Sequence, residues 1–371
     1  MKAEFCKTWI EIDAKTLLGN IKLFDDYVGR ETALMLVIKA NAYGHGLKEV
    51  ALMLKRARII HMLGVDSLDE ALLVRSYGVK NPIMILGYIP PSRFIEAVRN
   101  GFHVSIYNHE TLHAAHAISK SKKNNDLFFH LKIETGTNRL GIQYQDIVEK
   151  SLPPIYGLYT HFAEAENIHS RFYKEQMKQF EVARRFLEAK GIEPHVVHMG
   201  ATSALVHLPE SRGVLTRLGL GLYGLWPSEE LKKKYQRMLP IRPVLSWKTK
   251  LAQVKIIQKG ETVGYDRTYR AKSPMNTGVI PVGYYDGYPR ALSGKGIVLV
   301  GGKRCPIIGR ICMNMMMVDV SSTHARANDE VVLIGNQKKA SISVDEVAER
   351  AGTINYEIIA RLGPLTPKII V

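Results

Sequence analysis

Between residues 34 and about 225, short apolar runs end in polar or glycine residues, and each is followed by a stretch with helical spacing. The runs are LMLVIKA, IHMLGV, PIMILGY, HVSIYN, FFHLKIE, IYGLYTH, HVVHMG and GLGLYGL, eight in all; helix-like segments such as 67–76, 110–119 and 172–190 lie between them. Unbroken apolar runs fit strands buried on both faces, as in parallel sheets. Eight strand–helix units over roughly two hundred residues are what a closed (β/α)₈ barrel requires. An open doubly wound sheet would need a glycine-rich phosphate turn after its first strand, and no GxGxxG follows residues 34–39. After about Pro240 the runs become strand-like and are separated by Gly, Asp or Lys turns: VLSWKTKLAQVKII, TGVIPVGYYDGY, GIVLVGG, CPIIGRICMNMMMVDV and DEVVLIG. Only 344–351 reads there as a clear helix. The expected organisation is a barrel over 12–238 and a C-terminal mainly-β domain over 239–371, which the opening TWIEID and the rest of 1–11 would join.

Functional groups of such a barrel collect at the C-terminal ends of its strands. Lys39 stands at the end of the first run, Lys132 and Glu134 at the fifth, His161 at the sixth, His198 and Ser203 after the seventh, and Arg217 at the opening of the eighth. Lys39 leaves an apolar run, Leu34-Met35-Leu36-Val37-Ile38, and enters a polar, glycine-containing turn, NAYGHG. A lysine buried at a strand exit is pushed by desolvation toward the free, nucleophilic amine.

The formal net charge of +16 raises nucleic acid as a partner, but the basic residues are dispersed. The densest clusters, 120–123 and 232–234, read as helix ends or loops without interleaved aromatics, which argues against that class. No stretch is apolar for long enough to span a bilayer. The N-terminal MKAEFCKTWIEIDAK has acidic residues where a signal peptide needs an apolar core, so a cytoplasmic location is expected. Cys6, Cys305 and Cys312 have no ligand-like spacing and suit a reduced compartment, without a disulfide frame or a metal site.

VIKANAYGHG resembles the cofactor-attachment segment of the alanine racemase family, pyridoxal 5′-phosphate enzymes with a TIM-type α/β barrel and a C-terminal β domain. The resemblance extends through TGTNRLG, YTHFAEAE, HMGATS, RLGLGLYG, ETVGYDRTY, PVGYYDGYPR, GRICMNMMMVDV and TINYE, in order along essentially the whole chain. It implies that Lys39 forms the Schiff base with the cofactor and that Tyr43 and Tyr356 contact its phosphate. Ser203 and the Gly219-Leu220 backbone fit the same phosphate cup, because hydroxyls and free N–H groups near glycine suit an anion; Ser203 also reads as a helix N-cap. Arg217 matches the arginine facing the pyridine nitrogen, His161 the histidine supporting it, and Arg139 a contact to the cofactor's phenolic oxygen and to substrate. Lys132 matches a lysine found carbamylated in the family. Tyr265 matches the second base, contributed by the opposite subunit of a homodimer, and Tyr284, Arg290, Arg310 and Met313 match segments that line the substrate entry and pocket.

Arginine donates a hydrogen bond without handing over a proton, so a ring nitrogen facing it stays unprotonated and transamination is disfavoured. The chemistry implied is interconversion of L- and D-alanine by two bases, Lys39 on one face of Cα and Tyr265 on the other. A phenol serves as a base at neutral pH only beside cations. Three departures from the family pattern bear on substrate choice: Asn314 stands where aspartate is usual after CM, YTHFAEAE moves the acidic residues to Glu164 and Glu166, and TGTNRLG replaces TGMGRLG, placing Asn138 beside Arg139. They leave serine or a broader amino-acid range open. A decarboxylase of the same fold would want an acidic partner where Arg217 stands. A noncatalytic cofactor-binding protein would lack the β domain and Tyr265.

Overall fold

The structure, a computed structural model, describes residues 2–55, 57, 61–121, 127–147 and 152–371. The chain forms two compact units, one comprising 15–40 and 50–243, the other 1–14, 41–49 and 244–371. The first unit is an eight-stranded parallel sheet rolled almost to closure. Its strands are β1 (Ala33–Val37), β2 (Met62–Val65), β3 (Ile83–Ile85), β4 (His103–Ile106), β5 (Phe129–Lys132), β6 (Gly157–Tyr159), β7 (Val196–His198) and β8 (Leu215–Leu218). The sheet runs β7 back through β1 to β8, so β1 pairs with both β2 and β8. No ladder joins β7 to β8, but the Arg217 amide donates to the Gly200 carbonyl at 3.2 Å across that seam. Met35, Met62, Met84, Tyr159 and Leu215 pack against one another as a buried cluster, filling part of the interior as barrels of this size require. The helices Leu68–Ser76, His109–Ser121 and Phe172–Glu188 fall where the spacing places them, and Ser67 caps the first by accepting from the Glu70 amide. Two stretches of the sequence reading touch residues outside those described: Ile60 of IHMLGV and Lys122-Lys123 of the basic cluster.

The eighth run is displaced from its expected place. The strand is Leu215–Leu218, with Arg217 inside it, whereas GLGLYGL forms a 3₁₀ turn, Leu220–Tyr223. Gly219 leaves the extended region at φ −99°, ψ −105°, and Gly224 adopts φ +73° with no room for a Cβ beside the Arg242 carbonyl. The apolar residues of this run are buried, so their spacing records core filling instead of a pleat. The Tyr223 hydroxyl donates to the Val37 carbonyl at 3.1 Å and so ties the turn to β1.

The second unit carries a ten-stranded sheet. Thr8–Ile12 lies antiparallel to Leu245–Lys250 and parallel to Lys368–Ile370, which draws both chain ends into one sheet. Ser343 caps Val344–Ala351 by accepting from the Glu346 amide. A second helix, Asn355–Ala360, carries Tyr356; its cap is Ile354, which offers no side-chain acceptor, so the sequence gives no start signal there.

The backbone leaves ordinary conformation in the segment that opens with Lys39. Lys39–Tyr43 is a single helical turn, and Ala40, Asn41, Ala42 and Tyr43 all have φ between +51° and +55°. It is therefore left-handed, at a cost on the order of 1–2 kcal/mol per residue. Local bonds hold it. Glu70 Oε1 accepts from the Ala40 amide at 2.7 Å, and Asn41 Oδ1 accepts from the Leu47 amide at 2.8 Å. Gly44 follows at φ +79°, where a Cβ would sit 1.8 Å from the Ile359 carbonyl oxygen. Gly44→Ala is therefore expected to lower unfolding free energy by roughly 3 kcal/mol or to prevent folding; denaturant titration of the variant checks this.

Candidate active site

In the barrel, Lys132, His161, His198 and Arg217 come from the C-terminal halves or ends of neighbouring strands. Arg217 is only 4% exposed, yet no carboxylate among the described residues pairs with it. Its two terminal nitrogens donate to His198 Nδ1 and to the carbonyls of Thr160 (2.8 Å), His198 (3.3 Å) and Met199 (2.5 Å), with His161 Nδ1 at 3.3 Å. Nε makes no hydrogen bond among the described residues and is the donor left for an outside acceptor. Burial lowers the guanidinium to about 10, so it is still protonated at neutral pH. The sequence reading gave the supporting role to His161; the structure adds His198, which is the more closely bound. A histidine closing a strand was the available signal.

Lys132 is buried, with its amine 5.6 Å from the centre of the Tyr159 ring. Burial, and then the like charges of Arg217 and Arg139, bring it down to about 8. Lys39 is different. The structure corrects the expectation that it is buried: its side chain is 40% exposed, and Nζ lies 3.5 Å from Asp66 Oδ1. The strand ends at Val37, so Lys39 opens the left-handed turn and does not close β1.

Arg139 lies on an exposed loop shaped by Glu134. Burial disfavours the Glu134 carboxylate, but the amides of Asn138, Gly136, Arg139 and Thr137 outweigh this and hold it below the usual range. Asn138 adopts φ +51° there. Asparagine tolerates this conformation better than most residues, which explains how it can replace a glycine of the family motif. Glu164 accepts from Ser170 Oγ within its own loop.

Ser203 lies inside the helix Thr202–His207, whose cap is Ala201, so the N-cap reading of Ser203 is wrong. Its hydroxyl makes no hydrogen bond among the described residues. The Gly219 amide is committed to Thr202 Oγ1 at 3.0 Å, while the Leu220 amide has no such partner. In the other unit, the rings of Tyr43 and Tyr356 stand 6.4 Å apart. The uncommitted donors Arg217 Nε, Ser203 Oγ and the Leu220 N–H, with one exposed primary amine, fit an anionic aromatic aldehyde such as pyridoxal 5′-phosphate.

Tyr265 also lies in the β unit, 71% exposed, with no hydrogen bond to its hydroxyl among the described residues. It follows Gly264 at φ +75° and precedes Asp266 and Arg267 at φ +58° and +53°. Arg310 Nε lies 2.9 Å from Asp266 Oδ2 and braces this turn. Tyr265 borders a cleft of about 940 Å³ with Tyr284, Arg290, Arg310, Met313 and Asn314. No three His, Cys, Asp or Glu residues cluster as metal ligands among the described residues.

The sequence matches the family model of the alanine racemase N-terminal domain over residues 12–227 and that of the C-terminal domain over 244–370. The chain belongs to the alanine racemase family. It is 36% identical to the alanine racemase of Carboxydothermus hydrogenoformans, covering 98% of this chain and 99% of that one. It is 35% identical to alanine racemase 2 of Bacillus subtilis, over 98% and 95%. Among solved structures, alanine racemase from Streptomyces lavendulae superposes with a TM-score of 0.92 at 31% identity over 99% and 97% of the two chains. The Bacillus anthracis alanine racemase with bound L-Ala-P gives 0.90 at 31% over 99% and 95%. The TIM-type barrel with a mainly-β C-terminal unit is the fold of the family.

The lowered Lys132 has a thermodynamic consequence. Below pH 8 the lysine is charged in both folded and unfolded chains, and the burial cost is fully present. Between pH 8 and about 10.4 only the unfolded chain holds the proton, so stability rises with pH. In bicarbonate-free buffer, Lys132→Met is expected to be more stable than the parent at pH 7, by up to about 3 kcal/mol, and to lose that advantage by about pH 10; urea denaturation at several pH values measures this.

Proposed function

We propose that this chain racemises alanine with pyridoxal 5′-phosphate as cofactor. The single observation that supports the reading best is Arg217, a buried cation with neutral acceptors only and one N–H left over. Such a group offers a ring nitrogen a hydrogen bond but no transferable proton. Lys39 would hold the cofactor through its amine. Tyr43 and Tyr356 in the β unit, and Ser203 and the Leu220 amide in the barrel, would bind its phosphate; Gly219 leaves space for that approach. Arg139 would contact its phenolic oxygen and the substrate carboxylate. When bound, the cofactor supplies an electron-accepting ring conjugated to the substrate nitrogen, which acidifies the Cα proton.

The protein's own part is proton handling and positioning. The Lys39 amine takes or returns the Cα proton on one face, and the Tyr265 hydroxyl does so on the other. Two bases on opposite faces invert the centre without turning the substrate over. Tyr265 is exposed and unbonded, which suits a base that serves a second copy of the chain, so we assign the working form as a homodimer with shared sites. Arg310 would hold the Tyr265 turn, and Met313 would border the substrate. Bringing Lys132 down to about 8 raises the share of free amine at neutral pH, the form that reacts with carbon dioxide; a carbamate there would give Arg139 an anionic partner. Three free cysteines suit a cytoplasmic location, and among the described residues no helix is long and apolar enough to cross a membrane.

Incubation with L-alanine in deuterated water is expected to bring deuterium into Cα and to approach an equal mixture of enantiomers; carbon dioxide release without racemisation would overturn the reading. L-serine in a parallel reaction measures how far Asn314 and Glu164 relax the substrate range. Lys39→Ala and Tyr265→Phe should each lose at least about a hundredfold in kcat. Mixing the two variants should restore part of the activity through heterodimers carrying one intact site, and failure to do so would refute the shared arrangement. With ¹³C-bicarbonate, the parent protein should show a carbamate resonance in its NMR spectrum that Lys132→Met lacks.

A further inference from the structure

The barrel interior holds a line of three buried histidines that ends on Arg217. His103 Nδ1 lies 2.9 Å from His130 Nε2, His130 Nδ1 lies 3.2 Å from His198 Nε2, and His198 Nδ1 meets the Arg217 guanidinium. All three rings are at most 4% exposed. His103 opens β4, His130 is the second residue of β5 and His198 closes β7, so the line crosses the barrel from the N-terminal toward the C-terminal ends of the strands. Gly157 makes room for it: a Cβ there would sit 2.1 Å from His130 Nδ1.

We infer that Arg217 fixes the proton position on every histidine of this line, and that His130 and His103 act as positioning residues for Arg217 through His198. The reasoning needs only the donor inventory. A guanidinium donates and never accepts, so His198 Nδ1 must carry a lone pair. In a neutral ring its proton then sits on Nε2 and points to His130 Nδ1. The same rule puts the His130 proton on Nε2, pointing to His103 Nδ1, and the His103 proton on Nε2. Three imidazoles are thus aligned head to tail with their acceptor ends toward the cation, and each polarises the next, by roughly 10–30% per bond.

Among the described residues no carboxylate faces the line to charge it. The groups facing it are Arg217 and Lys132, both of which oppose an imidazolium, with Tyr159 stacked on His198 and Phe128 and Tyr156 against His103. Burial holds His198 and His130 well below the ordinary histidine value and brings His103 to about 4. Arg217 gives up no proton at working pH, so the line is not a proton wire. Its role is to anchor a desolvated cation through neutral acceptors, leaving Nε as donor.

The inference rests on the racemase reading for its kinetic consequence alone. In ¹⁵N-histidine-labelled holoenzyme, long-range ¹H–¹⁵N correlation spectra should show all three rings as the Nε2–H tautomer, unchanged from pH 5.5 to 8.5. An Nδ1–H tautomer at His198 or His130, or an imidazolium in that range, would overturn it whatever the activity. His103→Leu removes the far end of the line without touching Arg217. It should shift the His198 Nε2–H resonance and lower kcat about fivefold at little change in KM, the rate equivalent of one lost hydrogen bond. A fall in Tm with the His198 resonance and kcat unmoved would reduce His103 to a packing residue. Should that variant not fold, the tautomers of the parent protein decide the matter.

Discussion

A guanidinium sealed inside a barrel, with no carboxylate partner among the described residues, is the constraint on which this side of the protein depends. Removing a charge from water costs several kcal/mol unless polar partners replace the hydration. Here the replacements are three carbonyls and imidazole nitrogens, all neutral. An acidic partner would satisfy the cation more simply, but it would also offer a proton-holding group where the racemase chemistry needs none. The neutral shell keeps the cation in place and leaves Nε without a partner among the described residues. Burial, and then the like charges of Arg217 and Arg139, lower the neighbouring Lys132 amine.

Backbone strain collects at two of the residues assigned to the proposed chemistry. Two turns run through left-handed conformations in non-glycine residues, the one that opens with Lys39 and the one that displays Tyr265. Each is braced locally, the first by Glu70 and Asn41 and the second by the Arg310–Asp266 pair. Strained conformations of this kind persist only where surrounding contacts over-determine them. Both turns place a long side chain away from the ordered structure behind it. The Lys39 side chain is 40% exposed and Tyr265 is 71% exposed, whereas Lys132, His198, Ser203 and Arg217 are buried.

Much of this was legible in the sequence. Six of the eight barrel strands lie within their apolar runs and β1 starts one residue ahead of its run, at Ala33, because a strand buried on both faces must be largely apolar. The eighth was misplaced because GLGLYGL is apolar for a different reason: its glycines let a tight turn sink into the core. The capped helix Val344–Ala351 was readable from Ser343 and its spacing, whereas Asn355–Ala360 has no capping side chain and was missed. The burial of Lys39 was misjudged because the strand ends at Val37, ahead of the end of the apolar run, and the lysine opens a half-exposed turn.

The sequence by itself determined the fold class and the family, because periodicity and motif are local properties of the chain. Only the tertiary structure decided which histidine holds Arg217, that no carboxylate balances it, that the backbone after Lys39 is left-handed, and that Ser203 sits within its helix and not at its cap. Those facts depend on residues far apart in the chain, such as His103, His130, His198 and Arg217. Desolvation and hydrogen-bond direction have no meaning until folding chooses neighbours, so no reading of the chain alone could supply them.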